Sequence, residues 1–129
     1  NLKIAESEWD RNNFARFDFE IVDTSSSYQL YLNFRHGGDY PYRNLYLFTH
    51  IKDPKQRQAT DTAQMLLADA RGNWMGKGIG GIYDYQFLFK EGKLFPEKGM
   101  YTIEIEQAMR EELLVNVTDI GISIKKSEP

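Results

Sequence analysis

Gly76-Lys77-Gly78-Ile79-Gly80-Gly81 contains a literal G-x-G-x-x-G at Gly76, Gly78 and Gly81. In a dinucleotide site that spacing must follow a strand and open a helix, whose N-terminal N–H groups hold the pyrophosphate. Here Tyr83, Tyr85, Phe87 and Phe89 follow at every second position, which is the period of a strand. The glycines therefore read as a flexible or tightly turning loop. They do not make a phosphate-cradling P-loop either. Gly72 and the Gly76-Lys77 pair are one residue too close, and Gly78 stands where magnesium needs a Ser or Thr. The two histidines, His36 and His50, fall on different expected strands and lack a second His at ligand spacing. Zinc and iron sites usually draw on three or four ligands, so both read as solvated or hydrogen-bonded side chains. The 19 carboxylates raise glycoside hydrolysis, which needs two of them facing across a cleft. Glu104 and Glu106 share a face, but it is the wet face of a strand, where charged residues normally stand. No serine sits in a G-x-S-x-G elbow, so esterase chemistry has no support. Asn116-Val117-Thr118 matches a glycosylation sequon, a short pattern with frequent chance matches. No catalytic set, metal site or cofactor follows from these residues.

The loop aromatics are a different matter. Trp74 sits in a Gly-flanked loop, and Tyr40 and Tyr42 flank Pro41. Aromatics in such loops stack on sugars or anchor a partner protein. Equally, Trp74 can fold back and cap one end of the fold; the residues leave both readings open. Arg35 ends a strand on the face opposite Leu30 and Phe34. Its donor fork suits an anionic ligand, but bridging loop carbonyls is the preferred reading.

The elements that position these residues are read from alternation. Tyr101-Thr102-Ile103-Glu104-Ile105-Glu106 is apolar and polar in strict turn, so one face is dry and one wet. Six other segments read alike: Phe14 to Val22, Tyr28 to Arg35, Arg43 to Ile51, Thr62 to Ala68, Ile82 to Lys90 and Val117 to Lys125. In the third, Leu45 and Leu47 point inward while Tyr46, Phe48 and His50 take the other face, which suggests a central strand buried on two sides. Lys52 to Asp61, with Pro54, reads as a long loop, and Asp69 to Gly81 as a Gly-rich one. Ala108, Met109, Leu113 and Leu114 change period and predict a short helix or turn. The expected fold is all-β: an antiparallel β-sandwich, jelly-roll-like or Ig-like, of about seven to eight strands with one short helical crossing segment. A closed barrel is the main rival; a parallel α/β fold lacks its crossover helices.

Composition bounds the rest. At 129 residues the chain predicts one domain with a real core. Residues 1–12 are polar and unpatterned and read as a flexible linker or tether, leaving 13–127 as the single sandwich domain. A net charge of −3 argues against nucleic-acid binding. There are no cysteines, which excludes a disulfide scaffold, a thiolate zinc site and a cysteine nucleophile in this chain. The start at Asn1 without a Met fits a processed or truncated start, with a signal or lipid-attachment segment removed.

Phe34-Arg35-His36 followed by Tyr40-Pro41-Tyr42-Arg43-Asn44-Leu45 resembles the R-h…Y-p-y-x-N-l stretch of the GldH family of gliding-motility lipoproteins of Bacteroidetes. The resemblance continues through Asp61-Thr62, Leu67-Ala68-Asp69, Gly72-Asn73-Trp74-Met75-Gly76-Lys77-Gly78, Gly99-Met100-Tyr101, Gln107-Ala108-Met109-Arg110 and Asp119-Ile120-Gly121-Ile122. It implies an exported lipoprotein held to a membrane of the cell envelope, facing the periplasm or cell surface, by an N-terminal lipidated cysteine just before this chain. It further implies an accessory role in the gliding and type IX secretion apparatus, partners among other envelope proteins, no enzymatic activity and no cofactor.

Three functions compete. An interaction module should expose an apolar patch rimmed by polar residues, an enzyme should show facing carboxylates with a perturbed pKa, and a carbohydrate-binding module should present coplanar exposed aromatics. The preferred reading is a non-enzymatic interaction module. Its candidate surface is Arg35, Tyr40, Tyr42, Asn44, Trp74, Gly76 and Gly78; the alternative is a surface glycan bound through the loop aromatics.

Overall fold

A computed structural model describes residues 2–127. In chain order the strands are β1 (Leu2–Lys3), β2 (Glu8–Asp10), β3 (Ala15–Ile21), β4 (Ser27–Gly37), β5 (Asn44–Lys52), β6 (Gln58–Leu66), β7 (Lys77–Ile79), β8 (Ile82–Leu94), β9 (Gly99–Gln107), β10 (Leu113–Val115) and β11 (Val117–Lys126). One 3₁₀ turn, Ala5–Ser7, lies between β1 and β2. The strands pair antiparallel in two large sheets, β1-β11-β4-β8-β7 and β3-β9-β5-β6, with a small β10-β2 sheet beside them. Neither large sheet closes on itself, so the sandwich holds and the barrel does not.

Alternation explains the core. On β4, Tyr28, Leu30, Leu32, Phe34 and His36 are buried while every intervening residue is more open. Leu45, Leu47 and Ile51 of β5 and Tyr101, Ile103 and Ile105 of β9 form the inner face of the second sheet and join the same buried cluster. Side chains of this kind each stabilise the fold by about 1.5–3 kcal/mol on burial. The core is therefore built from the inward-facing positions of the long strands.

Several expectations are corrected. The loose lead-in over residues 1–12 is instead built into the fold; of this stretch, Asn1 lies outside the described residues. Leu2 pairs with Ile120 and Trp9 with Leu114. Trp9 is 1% exposed, and its Nε1–H donates to the Asn13 carbonyl at 2.9 Å. The helical crossing segment expected over 107–114 is instead the end of β9 at Gln107, an irregular bend over 108–112 and the start of β10 at Leu113. Gln107 Oε1 accepts from the Met109 N–H at 2.9 Å and its Nε2 donates to the Glu111 carbonyl at 2.8 Å, side-chain bonds that replace helical ones. The long loop after Lys52 is short: Asp53 Oδ1 accepts from the Lys55 and Arg57 N–H groups, and β6 already starts at Gln58. The Gly-rich loop yields β7, which forms a hairpin with β8. Finally, β5 is central but not buried on two sides, because Tyr46 and Phe48 face outward into solvent.

Candidate functional site

Tyr40, Tyr42, Trp74 and Asn44 come together, around an inward-facing histidine. His36 follows the buried parity of β4 and has no exposed surface. Its ring lies 4.6 Å from Trp74, 5.4 Å from Tyr40 and 5.7 Å from Tyr83, with Phe34 at 5.5 Å. Tyr40 is 3% exposed and its hydroxyl donates to the Asn44 carbonyl at 2.9 Å. Tyr42 packs edge-on against Tyr40 and donates its hydroxyl to Glu111. Trp74 is half-buried and bridges back to Ala68. Of the two readings of these aromatics, the geometry is that of a cap over one end of the core.

The electrostatics of the cap are those of a dry cluster. His36 Nδ1 lies 2.9 Å from the Gly37 carbonyl. A carbonyl only accepts, so Nδ1 carries the hydrogen and Nε2 is the bare nitrogen; no partner reaches it among the described residues. Burial pushes the His36 pKa down, against the opposing pull of the Gly37 carbonyl and of Asp84. Burial likewise raises the Tyr40 hydroxyl, helped by Tyr42 and Glu111, and the bond to Glu111 raises Tyr42. At neutral pH the histidine is neutral and both tyrosines keep their protons.

The glycines serve close packing. A Cβ on Gly76 would stand 2.5 Å from the Asp84 carbonyl oxygen, and one on Gly78 would enter the Tyr83 ring. They let the β7 hairpin lie flat on β8, the reason glycine is used where backbones approach closely. Arg35 points to the opposite face of its sheet. Register sets it between Asp84 and Asp119, with Nε 2.6 Å from Asp84 Oδ1 and Nη1 3.7 Å from Asp119 Oδ2. It therefore bridges carboxylates from two neighbouring strands, not loop carbonyls. Beside it lies a hollow of about 460 Å³ that Lys77, Ile79 and Ile82 help line.

A further exposed apolar surface lies on the outer face of the β3-β9-β5-β6 sheet. Tyr46 and Phe48 on β5 and Leu66 on β6 are all exposed, Leu66 at 58%. Register puts Gln64 beside Tyr46, and Thr62 and Glu106 beside Phe48, so the patch has a polar rim. Farther along β5, His50 stacks on Phe14 at 5.7 Å, and its nitrogens lie 2.9 Å from Glu106 Oε1 and from Thr60 Oγ1. Glu104 meets Lys52 at 3.8 Å. The two glutamates thus face partners along a sheet surface and do not oppose one another across a cleft. Tyr42 continues the patch: with Tyr46, Met109 and Arg110 it lines a hollow of about 280 Å³. The sequence did contain the signal for this face. Tyr46 and Phe48 occupy wet positions between neighbours whose own wet positions are polar.

Among the described residues no group of three or more His, Asp or Glu is arranged for a metal ion, and no helix is long and apolar enough to cross a membrane.

A family model described as GldH lipoprotein matches residues 1–124. The chain is 34% identical to the gliding motility lipoprotein GldH homolog of Christiangramia forsetii, over 94% of this chain and 79% of that protein. It is 32% identical to the gliding motility lipoprotein GldH of Flavobacterium johnsoniae, over 98% of this chain and 82% of that protein. No solved structure matches. A match across nearly the whole length, with relatives above 30% identity, means that this chain belongs to the GldH lipoprotein family.

Proposed function

We propose that this domain is the folded part of a membrane-anchored envelope lipoprotein and acts by binding other envelope proteins of a gliding or secretion machine, without catalysis. The names of its relatives support the setting. The observation that carries the mode of action is the exposed patch of Tyr46, Phe48 and Leu66, rimmed by Gln64, Thr62 and Glu106. Contiguous exposed apolar side chains with a polar rim mark contact surfaces. Tyr42 and Asn44 are the members of the loop-end candidate surface that adjoin this patch. A glycan site built on Tyr40 and Trp74 has little to recommend it, because both rings are committed to the cap.

The test is crosslinking in the source cell with the Tyr46→Ser/Phe48→Ser double variant. Partner capture is expected to fall while the melting temperature stays within a few degrees, since exposed substitutions cost little. Unchanged capture sinks the patch as the contact surface. Trp74→Ala should instead lower stability; partner loss with unchanged stability would return the contact role to the loop end.

A further inference from the structure

The molecule blunts most of its sheet edges. β1 has two residues and β7 three. β3 carries Arg16, Asp18 and Glu20 along its outward face. Beyond β7, the free edge of β8 is broken by register shifts around Phe89 and Glu91-Gly92, where Gly92 has φ 65°. Short edges, charges and bulges are the usual means of keeping other chains from pairing. β6 is long and unbulged, and its one charge sits opposite the inward-facing Thr49. Its nine residues pair with β5 from Leu66↔Asn44 to Gln58↔Lys52 without a shift. It contains no proline or lysine, and its single charge, Asp61, is matched by Lys90.

The backbone of this edge specifies its ligand. The Leu67 N–H donates to the Arg43 carbonyl at 2.7 Å. Antiparallel ladders alternate, so the N–H and C=O groups of Leu66, Gln64, Thr62, Thr60 and Gln58 turn away from β5. A row of alternating donors and acceptors at that repeat is complemented by another extended polypeptide. We infer that β6 is a docking edge that takes up an extended segment of a partner protein, antiparallel, as an added strand of the β3-β9-β5-β6 sheet. This inference rests on the reading of the domain as a protein-binding module.

The surroundings define the segment. Its outward side chains would run beside Leu66, Thr62 and Thr60 in turn, which favours an apolar residue next to Leu66 followed by small polar ones. A hollow of about 480 Å³ at that end, lined by Arg43, Asn44, Gln64, Leu66, Ala68 and Asp69 among others, can receive a side chain of the added strand. A second copy fits less well. Self-pairing about Thr62 would set Leu66 against Gln58 of the other copy and leave both Tyr46–Phe48 patches open.

The test uses the whole chain and a phage-displayed library of random nonapeptides. Selected peptides are expected to slow amide exchange at Thr60, Thr62 and Gln64 by about tenfold or more. Thr62→Pro should weaken them by at least about tenfold without unfolding the chain, because proline is tolerated where an edge N–H faces solvent. If Thr62→Pro does not fold, Thr62→Lys blocks the same edge by charge. The inference is overturned by a library that yields no peptide protecting these amides, or by binders that ignore the folded edge variant. Protection that rises with protein concentration in the absence of peptide also overturns it, and assigns the edge to a second copy. Peptide binding that survives Tyr46→Ser/Phe48→Ser, together with unchanged partner capture in those cells, would leave the edge standing while the patch fails.

Discussion

The buried histidine gives the sharpest quantitative expectation. His36 is enclosed by Phe34, Tyr40, Trp74 and Tyr83, has one hydrogen bond to the Gly37 carbonyl, and has a pKa lowered by burial from its usual 6.5. In the unfolded chain it regains an ordinary pKa of about 6.5. Because the folded pKa is depressed, the stabilisation is fully present above about 6.5 and is lost as pH falls from there toward the folded value. While the native ring stays neutral, the unfolded state gains RT ln(1 + 10^(6.5 − pH)), which is about 1.4 kcal/mol at pH 5.5 and close to zero at pH 8. The assay is urea denaturation of the wild type and of His36→Phe at pH 8, 6.5 and 5.5. Every other titratable group is common to both proteins, so its contribution cancels in the difference. The stability advantage of the wild type over His36→Phe should shrink on acidification, by up to about 1.4 kcal/mol at pH 5.5. A difference that stays constant, or that grows toward low pH, refutes the reasoning. Growth would mean that Nε2 is protonated in the fold and donates into the face of Trp74.

Other expectations concern packing. Trp9→Ala removes a 1%-exposed indole and its bond to Asn13 and should cost about 3–5 kcal/mol in urea or thermal unfolding; a loss under about 1 kcal/mol would restore the reading of residues 1–12 as a mere tether. Gly76→Ala drives a methyl group to 2.5 Å from the Asp84 carbonyl oxygen and should destabilise by about 1–3 kcal/mol, with faster amide exchange confined to β7 and its partner residues on β8. No change in either measurement would mean that the hairpin is looser than this contact requires.

Where one face of a strand is dry, the sequence announces it. Leu30, Leu32 and Phe34, and likewise Ile103 and Ile105, made β4 and β9 legible with the correct inward parity. β6 was hidden over its first half because Gln58 to Thr62 is exposed on both faces, so it has no alternation there to read. β1, β2 and β10 were hidden because two or three residues are too few for a period; Trp9 stood alone among polar residues, and Leu113 and Leu114 were read with a helical spacing instead. The cap was half legible. Its aromatics were found, but tyrosine and tryptophan beside glycine look the same whether they meet a partner or fold back on their own core. His36 favours the second, because it shares parity with Leu30, Leu32 and Phe34 and so had to be walled from water. Aromatic rings close over a neutral imidazole without demanding further hydrogen bonds of it.

The same parity argument turns the exposed patch from a curiosity into the main functional lead. On the outer face of its sheet, β3 presents Arg16, Asp18 and Glu20, β9 presents Thr102, Glu104 and Glu106 with Met100 at its start, and most of β6 presents Gln and Thr. A wet face of that composition needs no cover. Tyr46, Phe48 and Leu66 add apolar side chains to it, and they do so next to a long, regular edge without proline, lysine or bulge. Neither feature helps the isolated domain: apolar groups left in water forgo about 1.5–3 kcal/mol each of burial, and an open regular edge invites aggregation. A partner that adds a strand to β6 and lays apolar side chains beside Leu66 begins to relieve both at once. Their adjacency is therefore better explained by one binding event than by two separate lapses in the design of the surface.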